Sequence, residues 1–68
     1  MVPIGTEVIL NQDILQEDDR KQNFFIYEKY INAKTAGKVK SHEPNGQIWV
    51  TFPGNHLLLW EHNIIPVN

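Results

Sequence analysis

Short β-rich runs alternate along this chain with glycine, proline and asparagine, and that punctuation sets its predicted elements. After Val2-Pro3-Ile4-Gly5, the run Thr6-Glu7-Val8-Ile9-Leu10 predicts a first strand over 6–10. Residues 11–23 are polar apart from Ile14 and Leu15, so a connection is expected there, with one helical turn at 14–18. Phe24-Phe25-Ile26-Tyr27-Glu28-Lys29-Tyr30-Ile31 fits neither a period of 2 nor one of 3.6 and is read as extended.

A second strand is expected over 35–41, where Lys38 and Lys40 flank Val39 and Gly37 marks a place for a kink or bulge. Glu43-Pro44-Asn45-Gly46 follows, and Asn-Gly between two β-rich runs signals a hairpin because both residues tolerate positive φ. Strand three is then 47–52, Pro53-Gly54-Asn55 is a second turn, and 56–60 is strand four. Glu61-His62-Asn63 reads as a 3₁₀ turn and Ile64-Ile65-Pro66-Val67 as a short last strand, with proline where an edge tolerates it.

Five short strands, one long connection after the first, two hairpins and a 3₁₀ turn before a terminal strand resemble the SH3-like small β-barrel superfamily. The residues that carry the resemblance are Gly5-Thr6-Glu7-Val8, Ala36-Gly37-Lys38-Val39, Trp49-Val50-Thr51-Phe52 and Asn63-Ile64-Ile65-Pro66-Val67. The expected fold class is therefore mostly β: one five-stranded SH3-like barrel spanning 1–68, with a long loop between strands one and two. Length and the long first loop look most like small accessory barrel subunits of cyanobacterial and plastid electron-transfer complexes, such as the variable chain of ferredoxin-thioredoxin reductase. That resemblance implies a non-catalytic subunit docked on a larger complex.

Composition fits one folded domain. At 68 residues the chain has one small core to fill, and 41% hydrophobic with 21% charged residues is near the globular average. With no cysteine, neither disulfides nor thiolate metal sites are open to it, and packing must supply the stability. The longest apolar run, Leu57 to Trp60, is far too short for a membrane span, and residues 1–15 lack the pattern of a signal peptide, so a cytoplasmic protein without membrane insertion is expected. The net charge of −2 conceals an order: the acids Glu7, Asp13, Glu17, Asp18 and Asp19 come first. Every lysine and arginine then falls within 20–40, and an almost neutral end follows.

Candidate chemistry centres on strand three. Ile48, Val50 and Phe52 share one parity and are expected in the core, which turns Gln47, Trp49 and Thr51 outward. An outward tryptophan on a small barrel is either covered by the segment bearing Phe24, Phe25 and Tyr27 or is part of a recognition surface. Lys38 and Lys40 form a basic stripe, which Lys34 joins if the register is regular; such a stripe suits phosphates or an acidic protein, and equally a plain solvated edge. Glu17-Asp18-Asp19 lacks the spacing of a calcium loop and is expected as a loop tip or as a screen over the lysines. His42, His56 and His62 match no zinc spacing, and Ser41 and His42, as strand neighbours, point to opposite faces and form no dyad.

A barrel this small has little concavity in which to shield a reaction, so no enzyme and no cofactor are expected. Type II plasmid dihydrofolate reductases resemble the chain in size and barrel type, but Gly46-Gln47-Ile48-Trp49 stands where their Val-Gln-Ile-Tyr signature would be. The expectation is a protein-binding module using Trp49, Phe24, Phe25, Tyr27, Tyr30, Lys38 and Lys40. A KOW-like or Tudor-like nucleic-acid binder is the alternative.

Overall fold

The computed structural model describes residues 2–17 and 22–67. In chain order these form β1 (Glu7–Leu10), a first 3₁₀ turn (Gln12–Gln16), α1 (Phe24–Ala33), β2 (Gly37–His42), β3 (Ile48–Phe52), β4 (Asn55–Leu59), a second 3₁₀ turn (Glu61–Asn63) and β5 (Ile64–Pro66). All pairings are antiparallel, in one five-stranded sheet of order β4-β3-β2-β1-β5. The sheet is open: β4 and β5 are its edges, so the closed barrel expected from sequence is corrected to an open, mostly β sheet with one helix.

Period-2 alternation builds the sheet. In β3 the parity runs as expected, with Ile48, Val50 and Phe52 no more than 2% exposed and Trp49 and Thr51 half-buried on the other face. Val8 and Leu10 of β1, Val39 of β2, and Leu57 and Leu59 of β4 join them in one buried cluster. Burying each such side chain contributes about 1.5–3 kcal/mol, which is how a chain without cross-links holds together.

Both hairpin turns fall where the glycines predict, though by different geometries. In the β2–β3 turn only Gly46 uses the positive φ that Asn-Gly tolerates (95°). Pro44 and Asn45 instead occupy the middle of a turn closed by Gly46 N–H to Glu43 C=O (3.0 Å), and Asn45 Oδ1 accepts from Gln47 N–H (2.9 Å). The β3–β4 loop is Pro53-Gly54 alone, flanked by the Phe52–Asn55 pair. Gly54 at φ 83° after a proline is the type II arrangement.

The long connection holds the main correction. Residues 24–31, read as extended, lie in α1. Ile26, Tyr27, Tyr30 and Ile31 recur at helical spacing on its inner side, while Phe25, on the outer side, is 81% exposed. Aromatic and β-branched residues favour strands intrinsically, and tertiary packing overrides that preference here. Tyr30 stacks on Phe52 at 4.7 Å between ring centroids; its hydroxyl donates to Pro53 C=O (2.8 Å) and accepts from Asn55 Nδ2 (2.7 Å). That carbonyl lies in the middle of a turn, outside the strand ladder, so the helix satisfies a group the sheet cannot.

Gly37 is not the bulge. The register of β2 against β3 slips between Val39 and Ser41, leaving Lys40 as the extra residue. Gly37 is required for space: a Cβ there would sit 2.9 Å from two Phe52 ring carbons and from the Thr51 carbonyl oxygen. Lys34 is also corrected. It closes α1 and takes no place on the β2 stripe.

Candidate functional site: the outer face of β2, β3 and β4

The face opposite the core is read from the register. Ser41 and Leu58 flank Trp49 on β2 and β4, and Lys38 and His56 flank Thr51 in the next row. The bulge leaves Lys40 unpaired between the two rows and aims it into a shallow depression of about 400 Å³, whose described lining is Lys40, Ser41, Glu43, Trp49 and His56. Bulges recur where a sheet re-aims a side chain, and this one leaves Lys40 lining the same depression as Trp49. Lys38 lines a neighbouring hollow with Glu7, Thr51 and Pro53.

The electrostatics are open. Among the described residues neither Lys38 nor Lys40 has an ion-pair partner within 4.0 Å, even though Glu7 is the cross-strand register partner of Lys38. Thr51 Oγ1 and His56 Nδ1 are 3.2 Å apart, so the hydroxyl holds the ring by one nitrogen, and His56 lines the depression. The contents of the depression are thus a cation, an imidazole, a hydroxyl, a carboxylate and an indole. These groups can hydrogen-bond and stack.

The sequence-predicted site residues divide into two groups. Trp49, Lys38 and Lys40 come together on this face. Tyr27 and Tyr30, 1% and 3% exposed, are core residues of α1, and neither they nor Phe24 and Phe25 line the depression. Phe24 and Phe25 meet edge to face at 5.8 Å on the helix, which packs against β1 and the first 3₁₀ turn. The helix therefore completes the core and does not form the cover once considered for Trp49.

Sequence reading missed Ser41, His56 and Leu58. The parity of Leu57 and Leu59, both inward, would have placed His56 and Leu58 beside Trp49.

The remaining polar residues hold the fold. His42 Nε2 donates to Val2 C=O at 2.6 Å and pins the N-terminal segment across β2. Asn63, fully buried, accepts from Trp60 N–H (2.8 Å) and donates through Nδ2 to both carboxylate oxygens of Glu17 (2.9 and 3.1 Å). His62 Nε2 reaches the same carboxylate at 2.8 Å. Glu17, expected at a loop tip or over the lysines, thus ties the long connection to the turn before β5; Asp18 and Asp19 lie outside the described residues, as do Arg20 and Lys21. No cluster of three metal-ligating side chains occurs among the described residues, and no described helix is long and apolar enough to cross a membrane. No protein-family model, curated protein or solved structure matches the chain.

Proposed function

We propose that this chain is a non-catalytic, SH3-like protein-binding module that docks on a larger complex through the outer face of β2, β3 and β4. The observation that carries the reading is the bulge: the sheet gives up one ladder pair at Lys40, which lines the same depression as the half-buried Trp49. Tryptophan surrounded by polar groups is the residue type that dominates binding energy at protein interfaces. The long connection, two hairpins and the 3₁₀ turn before β5 support the SH3-like assignment.

A KOW-like or Tudor-like nucleic-acid module would use the same lysines and indole. Glu43 in the depression and the scarcity of cations on this face favour a protein.

A photo-cross-linking residue at Thr51, compared with one at Phe25, tests the reading in the source cells. The expected result is a discrete protein adduct from position 51 that disappears when Trp49→Ala is added, with none from position 25. A nucleic-acid adduct whose formation falls steeply with salt would transfer the assignment to the competing class. Equal labelling from both positions would remove the face from consideration.

A further inference from the structure

A further hollow, of about 360 Å³, lies between the C-terminal end of α1, β1 and the edge strand β5. It shares no described lining residue with the Trp49 depression. Ile9 and Ile65, register partners on β1 and β5, line it with Ile31 of α1, and Ile65 is 44% exposed. Its polar lining is Gln12, Lys34 and Tyr30, and the Tyr30 hydroxyl is committed to Pro53 and Asn55. No described lining residue is acidic, and Lys34 has no ion-pair partner among the described residues.

Lys34 is also the one non-glycine described residue with positive φ, 52°. It stands just past α1, where its N–H reaches Ile31 C=O (3.1 Å) and Thr35 N–H reaches Tyr30 C=O (2.9 Å). Glycine or asparagine usually fills such a position, because a Cβ is crowded in the left-handed region. A cation here does favour the helix dipole, but one anywhere in the last turn would serve equally. The backbone geometry therefore does not explain the lysine, whereas the hollow does: it places one cation at the rim of a cluster of isoleucines.

We propose that this groove captures the apolar C-terminal residue of a partner polypeptide, its α-carboxylate on Lys34 and its side chain among Ile9, Ile31 and Ile65. Anion and apolar group must lie within a few ångströms of each other to share so small a space. In an extended chain, an internal Asp or Glu points away from the side chain of its neighbour, so the two would not enter together. A C-terminal residue carries both on one α-carbon, and carboxylate capture is an established mode of peptide recognition. This proposal does not depend on the Trp49 surface.

The test uses the whole chain with isoleucine methyl groups labelled for NMR. The probes are the peptide acetyl-Gly-Gly-Ile-Leu with a free C-terminus, the same peptide as its C-terminal amide, and octanoate. The free acid is expected to shift the methyls of Ile9, Ile31 and Ile65 and to bind at least about tenfold more tightly than the amide. Lys34→Gly is expected to abolish that preference without lowering the melting temperature, since glycine suits the backbone there. Lys34→Gln, which keeps most of the stem without the charge, should behave likewise and serves as control if the glycine variant folds poorly.

Equal binding of acid and amide, a preference that survives both Lys34 variants, or shifts centred on other isoleucines would overturn the proposal. So would octanoate binding as well as the peptide acid, which would mark a site for any apolar carboxylate, or silence from every probe up to about 10 mM.

Discussion

The meander of β2, β3 and β4 and the connection from Asn11 to Ala36 are built on opposite principles. In the meander each strand pairs with its sequence neighbour through a tight turn, and alternation decides which side chains are buried. The connection has no such local logic. Its helix is rich in aromatic and β-branched residues that prefer strands and is anchored through Tyr30 to Phe52, Pro53 and Asn55, while Glu17 is anchored to His62 and Asn63. One region is specified by its own pattern and the other by what it reaches. The helix packs on the inner side of the sheet and leaves the outer face of the meander uncovered, whereas the connection gives two of its four aromatic residues, Tyr27 and Tyr30, to the core.

Substitutions that strike one region, or the joint between them, sharpen this contrast. Phe52 belongs to both, as the inward residue of β3 and the platform for Tyr30, so Phe52→Ala should cost about 3–5 kcal/mol in equilibrium unfolding. A cost below about 1 kcal/mol would show that the stacking and the parity are misassigned. Gly37→Ala places a methyl against a ring and against a backbone carbonyl that cannot swing away. A loss of about 1–3 kcal/mol is expected, and a stabilised protein would refute the close approach. Tyr30→Phe keeps the stacked ring and strands Pro53 C=O and Asn55 Nδ2 without their partner, for an expected loss of about 1–2 kcal/mol. Hydrogen exchange should then quicken in α1 before it does in β3. A uniform change across both regions would mean that they unfold as one unit and that the contrast is only architectural.

The same contrast explains what could be read before the structure. Strand three, the second turn and the 3₁₀ turn at Glu61–Asn63 were legible because period-2 alternation and Pro-Gly chemistry act over a few residues. The helix was not, since Phe24 and Phe25 add apolar residues off its inner side and the contacts that decide the matter are with Phe52 and Pro53, more than twenty positions away. Glycine is permissive enough to mark Gly37 as a place for a kink or bulge, while the register slips at Lys40 and the glycine answers to a ring that sequence does not place beside it. Strand parity is what sets Trp49 and Lys38 on the outer face, with Lys40 beside them at the bulge. Tyr27 and Tyr30 were grouped with them because aromatic residues serve cores and interfaces alike, and only burial separates the two.

The central claim is that β3 divides its work by face, with stability inward and recognition outward. Equilibrium unfolding of Trp49→Ala, run beside Phe52→Ala, tests it without knowledge of the partner. A half-buried tryptophan on a free face should cost less than about 2 kcal/mol, well under the Phe52→Ala loss, with the denaturant dependence unchanged. A loss of about 3–5 kcal/mol, matching that of Phe52→Ala, would mean that Trp49 is a core residue and that the outer face is not the docking surface.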